Sequence, residues 1–245
     1  MAREQFTSVG NLLGRAAAYG HKYYLRRLMP KLGPVLHAGT ASTLDWRLFD
    51  KQLPPQFRPP EICDIPDYEE KLVTALRATV KPGDKVIVVG GGNGTTAVVA
   101  AKLTGPSGTV ICYEASSEQL PVIRQTFRRN KVDVDLRFAA VGEAIGVYGD
   151  GEVAPVVAPE DLPECDILEM DCEGAERIIL AGMTIQPRAI AVETHRVYGS
   201  PTEVVHEALE KLGYVVTDLG IAEPRLAATC IELGVDVLMG LRTTS

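Results

Sequence analysis

The stretch KVIVVGGGNGTT, residues 85–96, reads as a buried strand that runs into a glycine-rich turn and then into a helix. Four of the five residues after the strand are glycine, and residues without Cβ let a ligand approach the backbone closely. Gly90, Gly92 and Gly94 spell G-x-G-x-G, whereas the dinucleotide fingerprint G-x-G-x-x-G requires glycine or alanine where Thr95 stands. The stretch therefore predicts a cofactor-binding turn of an α/β protein and disfavours one that binds a pyrophosphate.

Strands and helices are predicted to alternate on the C-terminal side of this turn. The strand sequences VIVV, TVICY and AIAVE are continuous and apolar, which is typical of parallel strands covered by helices on both faces. We therefore expect an α/β fold with a doubly wound, mostly parallel, seven-stranded sheet. The predicted strands are 85–89, 109–113, 135–140, 166–170, 189–193, 214–218 and 236–241. The predicted helices are 95–103, 117–129, one after Gly174, and 201–212.

The two ends of the last predicted helix carry signals of their own. Ser200-Pro201-Thr202-Glu203 matches a capping box with proline at the first helical position, and Gly213 fits the residue after the helix. No full helix is predicted between the last two strands, so we expect those strands to pair in an antiparallel way.

Charge and proline content divide the chain into two regions. Residues 1–60 contain nine Lys/Arg and three Asp/Glu, although the whole chain has a net charge of -7. Residues 9–29 can form a basic helix, and five prolines between residues 52 and 66 predict an extended connector. We therefore expect a basic N-terminal helical arm with its connector at 1–65 and the main domain at 66–245.

The basic arm has two interpretations. It could dock on an anionic partner or make peripheral contact with a membrane surface, or it could pack on the domain with its charges in solvent. The net negative charge disfavours nucleic acid as the main partner. Five widely spaced cysteines without a C-x-x-C pair indicate reduced thiols, and the N-terminus lacks an apolar targeting segment. We expect a cytoplasmic protein, and its oligomeric state is not indicated.

Acidic residues follow two of the predicted strands. Glu114 ends the second strand, 20 residues beyond Gly94, where a carboxylate can accept hydrogen bonds from two ribose hydroxyls; it could also be a solvated charge. Asp171 and Glu173 follow the strand 166–170, at the edge where α/β sheets bind ligands. They could also act only as favourable charges at a helix N-terminus.

Glu193 and His195 follow the next strand at the same edge. An imidazole titrates in the range that suits a general base, so His195 is a candidate for catalysis, whereas His21, His37 and His206 are read as structural or surface residues. Asp171, Glu173 and Glu193 could share an oxygen-ligand metal site. No ligand spacing requires one, and we predict no metal.

Four separate blocks resemble the FkbM-type family of S-adenosylmethionine-dependent methyltransferases. They are KPGDKVIVVGGGNGTT, GPSGTVICYEAS, DILEMDCEGAE and AVETH, the last followed by a helix and GYVV, and together they cover roughly residues 66–218. The resemblance implies the Rossmann-like fold of class I methyltransferases, with S-adenosyl-L-methionine as the cofactor.

The resemblance also implies site residues. The glycine-rich turn would line the methionine and ribose end of the cofactor, Glu114 would bind the ribose hydroxyls, Val141 and Gly142 would flank the adenine, and Asp171 would lie near the sulfonium and the acceptor. The cofactor-binding set is Gly90, Gly92, Asn93, Gly94, Thr95, Glu114, Ala115, Val141, Gly142 and Asp171. Two positions depart from the family pattern, because Val88 replaces an acidic residue and Ala115 replaces a proline.

The implied reaction is O-methylation of a hydroxyl on a sugar, polyketide or similar small molecule, an activity of the EC 2.1.1 class. Asp171 or His195 would remove the proton of the hydroxyl, and Glu193 would orient His195. A glycan or lipid-linked sugar is one candidate acceptor, with the Pro-rich connector and residues 148–162 as candidate walls. The alternatives are a non-catalytic or degenerate nucleotide-binding protein, which Val88 motivates, and an NAD-dependent oxidoreductase, which G-x-G-x-G disfavours.

Overall fold

The computed structural model describes residues 68–145 and 151–242. The predicted basic helix 9–29, the Pro-rich connector and the domain boundary at 65–66 lie outside these residues. Within the described ranges, no helix combines the length and apolar character needed to cross a membrane.

Helices flank a central sheet and alternate with most of its strands. The helices are α1 (Glu70–Thr79), α2 (Thr95–Thr104), α3 (Leu120–Asn130), α4 (Glu176–Gly182), α5 (Thr202–Lys211) and α6 (Ala227–Leu233). The strands are β1 (Lys85–Val89), β2 (Thr109–Glu114), β3 (Asp135–Phe138), β4 (Ala140–Val141), β5 (Val156–Val157), β6 (Ile167–Met170), β7 (Ala189–Glu193), β8 (Tyr214–Ile221) and β9 (Asp236–Arg242).

Seven of these strands form one sheet in the order β3-β2-β1-β6-β7-β9-β8. The first five strands in this order, β3, β2, β1, β6 and β7, are parallel to one another. Strand β9 is antiparallel to both of its neighbours, β7 and β8. The order reverses between β1 and β6, which opens a crevice at the carboxyl ends of these two strands. The predicted doubly wound, mostly parallel, seven-stranded fold with a final antiparallel pair is confirmed.

The middle of the sheet is the centre of the hydrophobic core. All four residues of β6 are buried, and so are four of the five in β1, because helices cover both faces of these strands. Leu72 and Leu76 of α1 are fully buried, as is Ile179 of α4. The apolar runs that predicted interior strands therefore fix the positions of the residues that follow β1, β6 and β7.

Three local predictions are corrected by the structure. The helix predicted from residue 117 begins at Leu120, because Pro121, which has no backbone N–H, is accommodated in the first turn. The strand predicted over 135–140 ends at Phe138, and Ala140–Val141 pairs instead with Val156–Val157 in a separate two-stranded sheet. The connection between β8 and β9 contains the seven-residue helix α6.

The capping box predicted at residues 200–203 is also wrong. The side chain of Ser200 is buried and its hydroxyl donates to the backbone carbonyl of Gly174, 2.8 Å away, so it is not available to the N-terminus of α5. The other end of this helix agrees with the prediction. Gly213 follows α5 with a positive φ of 86°, a conformation that favours glycine.

Candidate active site

The glycine-rich turn lies against the end of the neighbouring strand β6. Gly90 has a φ of 93° and donates its N–H to the carbonyl of Tyr113 at the end of β2. A Cβ on Gly90 would overlap the backbone carbonyl of Asp171, so only glycine allows the two chain segments to approach this closely. The turn therefore brings the end of β1 next to Asp171.

A cavity of about 300 Å³ opens beside this turn at the carboxyl edge of the sheet. This is the size and the place expected for a small-molecule site in an α/β fold. The predicted residues on its wall are Gly90, Gly92, Asn93, Glu114, Ala115, Val141 and Asp171.

Three predicted cofactor residues are not on the cavity wall. Gly94 faces the opposite side, where a Cβ would lie 3.2 Å from the ring of Phe127. Thr95 is buried in the first turn of α2, and Gly142 packs against the side chain of Ile178. These three residues pack behind the residues of the wall. The geometry therefore does not favour their predicted direct contact with a cofactor.

Glu114 is held in place by backbone hydrogen bonds. Its Oε2 accepts from the N–H of Gly92 at 3.0 Å and its Oε1 from the N–H of Ser116 at 2.6 Å. Burial raises the pKa of this carboxyl, and the backbone donors act in the opposite direction. The side chain thus ties the end of β2 to the glycine turn and still borders the cavity.

His195 is the centre of a group of carboxylates at the ends of β6 and β7. Its Nε2 lies 3.4 Å from Asp171 Oδ1, 3.6 Å from Glu193 Oε1 and 3.7 Å from Glu173 Oε2. We call Asp171, Glu173 and Glu193 the carboxylate cluster. The sequence placed all four residues at this edge, and the structure brings each carboxylate within 3.7 Å of His195.

The shortest contact to the imidazole comes from Glu176, a residue that the sequence analysis missed as a site residue. Glu176 Oε1 lies 2.9 Å from His195 Nδ1 and also accepts from the backbone N–H groups of Cys172 and Gly174. The predicted orienting role of Glu193 is better met by Glu176, because Glu193 faces the other ring nitrogen at 3.6 Å. Glu176 is the last residue of the DCEGAE block, so the sequence placed it close to Asp171. No spacing in the sequence identified His195 as its partner.

The protonation of His195 bears on its proposed role as a base. Burial acts to lower its pKa, but hydrogen bonds to Glu176 and Glu193 and the charge of Asp171 raise that pKa to about 11. The imidazole is therefore protonated at neutral pH and has no free lone pair for an incoming proton. Burial, and then the charge of Glu193, raise the pKa of Asp171 well above its ordinary value. Of the two candidate bases, the geometry favours Asp171.

Glu69, at the start of α1, is a second residue that the sequence analysis missed. It lines the cavity, is 8% exposed, and has an Oε2 without a hydrogen-bond partner among the described residues. Burial, together with the charges of Glu193 and Glu223, raises its pKa to about 8. Val88 is fully buried within β1, so the acidic group beside the glycine turn comes from Glu69, whose Oε1 lies 3.5 Å from where a Cβ on Gly92 would be.

Asp171, Glu193 and His195 also have the arrangement of a metal-ligand group. Each offers one ligand atom, and the three atoms lie within 4.8 Å of one another. The sequence analysis predicted no metal, and it named Glu173 rather than His195 as the third member of a conceivable site.

Comparison with known proteins shows similarity to methyltransferases. No family model matches the chain. It is 29% identical over 152 residues to the ribosomal protein L11 methyltransferase of Bacillus cytotoxicus, which covers 60% of this chain and 43% of that protein. It is 27% identical over 151 residues to the protein of the same name in Bacillus cereus strain B4264, with the same coverage. The chain thus matches less than half the length of these relatives.

The fold is similar to that of a solved methyltransferase structure. Precorrin-6y C5,15-methyltransferase from Geobacter metallireducens superposes with a TM-score of 0.50 at 13% identity, over 79% of this chain and 96% of that one. An identity this low is informative about the fold alone. The sequence relatives and this solved structure are thus all named as methyltransferases, and the likeness to the solved structure is one of fold.

Proposed function

We propose that this chain is an S-adenosylmethionine-dependent methyltransferase of the FkbM type that methylates a hydroxyl oxygen of a small hydroxylated molecule such as a sugar or a polyketide. One observation carries the proposal: a single cavity is bordered by the glycine turn, by Glu114 and by Asp171. The first two are suited to hold the cofactor, and the third is suited to act on an acceptor. The methyltransferase relatives support the class of reaction.

The residues around the cavity fit the proposed cofactor. Gly90 and Gly92 place backbone without a side chain on the cavity wall, and Glu114 offers a fixed carboxylate for ribose hydroxyls. Ala139, Ala140 and Val141 form a small apolar wall next to it, as a purine ring requires. When bound, S-adenosylmethionine would supply the methyl group, which leaves the sulfonium sulfur as the acceptor oxygen attacks.

The protein's own part in such a displacement is mostly alignment. Holding the acceptor oxygen in line with the methyl group can lower the barrier by several kcal/mol. Asp171 borders the cavity and would accept the proton of the hydroxyl, because its raised pKa makes it a stronger base than an ordinary aspartate. His195 would hold Asp171 in place from 3.4 Å, and Glu176 would position His195. The products would be a methyl ether and S-adenosylhomocysteine.

The test of the cofactor is a calorimetric titration of the full chain with S-adenosylmethionine, S-adenosylhomocysteine and NAD. We expect saturable binding of the first two, and a Glu114→Ala variant should bind them at least tenfold more weakly. Glu118→Ala is the matched control, since it removes the same charge from an exposed side chain that does not line the cavity. Tight binding of NAD instead would support an oxidoreductase, and no binding by folded protein would support a degenerate binding protein.

The acceptor requires a separate experiment. We would incubate the protein with methyl-labelled cofactor and panels of sugars, polyketides and lipid-linked glycans, and with a ribosomal protein panel, because the relatives are named for a protein acceptor. Label in a small hydroxylated molecule would support the proposal, and label only in protein would contradict its acceptor class. RNA is included in the screen because the absence of a nucleic-acid partner is so far only a prediction.

The basic arm is the second variable in the screen. If it selects an anionic or lipid-linked acceptor, deleting residues 1–50 should reduce activity on that acceptor without changing the affinity for S-adenosylhomocysteine. Unchanged activity would rule out this role.

A further inference from the structure

We propose that Asp171, Glu193 and His195 bind a divalent cation, for which Mn²⁺ is the best matched probe. The relevant atoms are Asp171 Oδ1, Glu193 Oε1 and His195 Nε2. The two oxygens lie 3.4 Å and 3.6 Å from the nitrogen, and all three atoms are within 4.8 Å of one another. Ligands joined to one ion by bonds of about 2.1 Å are roughly 3 to 3.5 Å apart when adjacent, so small movements would complete the site.

The orientation of His195 suits a metal ligand. Glu176 occupies the Nδ1 side of the ring at 2.9 Å and is itself fixed by two backbone N–H groups. A carboxylate on one ring nitrogen that leaves the other facing the metal is the usual arrangement around metal-binding histidines. The Nε2 atom therefore points at the carboxylates with its direction already set, and a cation bound there would displace the proton that this nitrogen carries in the free protein.

The negative charge of the site also favours the binding of a cation. No lysine or arginine within residues 68–145 and 151–242 forms an ion pair with Asp171, Glu193 or Glu69, and Asp171 and Glu193 share the cationic side chain of His195. Buried carboxylates are normally paired with a cation or coordinate a metal.

A separate observation comes from Glu69 on the wall of the cavity. Its Oε2 is buried and has no hydrogen-bond partner in the described part of the chain. Glu69 lines the same cavity as Asp171, and it is near enough to Glu193 to be affected by its charge. An unpartnered carboxylate oxygen here is available as a further ligand, directly or through water.

The donor set identifies the class of ion. Two or three carboxylates with one imidazole favour hard or borderline divalent ions such as Mn²⁺ and disfavour ions that prefer sulfur. If the proposed function is correct, on which this part of the inference rests, an acceptor hydroxyl bound to the cation would lose its proton more easily to Asp171 or to solvent.

The experiment is a titration of the metal-free full chain with Mn²⁺ alone, followed by the electron paramagnetic resonance signal of the free ion. We expect one ion per chain. Asp171→Asn and Glu193→Gln should each weaken binding at least tenfold, and Glu203→Gln, which removes the same charge from an exposed position on α5, should not. Saturating Mn²⁺ should raise the melting temperature of the wild type and of Glu203→Gln but not of the two site variants, and this readout also shows whether each variant is folded.

Two outcomes would overturn the inference: no stoichiometric binding by the wild type, or equal affinity in all four proteins. Titrating the same samples with S-adenosylhomocysteine separates this inference from the proposed function. Cofactor binding without Mn²⁺ binding would refute the metal site alone, and Mn²⁺ binding without cofactor binding would refute the methyltransferase proposal alone.

Discussion

The acidic residues at the amino and carboxyl edges of the central sheet differ in their charged partners. At the amino edge, the guanidinium of Arg188 lies 2.7 Å from Asp84 and 3.8 Å from Asp166. The backbone N–H of Lys81 also donates to Asp84, and that of Lys85 to Asp166. At the carboxyl edge, Asp171, Glu173 and Glu193 all lie against the same imidazole nitrogen of His195, at 3.4, 3.7 and 3.6 Å.

This difference distinguishes acids that stabilise the fold from acids that are available to a ligand. An acid whose counter-charge comes from its own chain contributes to the fold and leaves nothing for a ligand. Several acids that share one cationic partner repel one another and lower stability, and binding sites are where proteins retain such groups. The amino edge is therefore expected to affect stability when it is changed, and the carboxyl edge to affect function.

The largest expected effect is on turnover at the carboxyl edge. In an Asp171→Asn variant, the methyl-transfer rate on the acceptor found by the screen should fall about 10² to 10⁴-fold, the usual contribution of a positioned base. The free energy of unfolding should not fall, because the change removes one of several mutually repelling carboxylates. Urea unfolding and initial rates measure the two quantities. A rate within threefold of the wild type would remove Asp171 from the candidate bases.

The next largest effect is on stability at the amino edge. Arg188→Met should lower the free energy of unfolding by about 3 kcal/mol, because Asp84 is 7% exposed and would be left as a buried charge without its partner. The affinity of the folded protein for S-adenosylhomocysteine should be unchanged. The double variant with Asp84→Asn should regain part of the loss, and failure to do so would show that the ion pair is not the cause.

The smallest expected effect is on the free energy of unfolding when Asp166, the second acid at the amino edge, is changed. Asp166→Asn should change the free energy of unfolding by less than about 1 kcal/mol, because this carboxylate is 44% exposed and 3.8 Å from Arg188. The asparagine oxygen can still accept from the backbone of Lys85. A loss as large as that of Arg188→Met would mean that Asp166, and not Asp84, is the main partner of the arginine.

Much of the fold was predictable because it follows from local patterns. Continuous apolar runs identified the interior strands, and the glycine cluster after β1 identified the turn, since both are properties of neighbouring residues. The chain direction of parallel strands then placed Glu114, Asp171, Glu193 and His195 at one edge without any knowledge of contacts. The errors at Ser200 and at residues 135–140 have a different origin, because there a partner distant in sequence competed with the local pattern.

The side-chain partners within the site were not predictable in the same way. Glu176 meets His195 across 19 residues of chain, and Glu69 reaches the cavity from a helix that precedes β1. Neither residue has a spacing that identifies its partner. Periodicity determines which face of an element is buried, but it does not determine which two buried polar groups meet.

The place of β6 beside β1 also has a consequence for how the chain folds. Strands β1, β2 and β3 pair with one another and are close in sequence. The pairing of β1 with β6 is different, because its register Val86↔Ile167 joins residues about 80 positions apart. Closing a segment of this length has an entropic cost that precedes the gain from pairing. During synthesis, the first three strands can associate while the rest of the chain is still missing. Ligand binding becomes possible only after the late step that joins the two halves, so the appearance of binding would report the completion of folding.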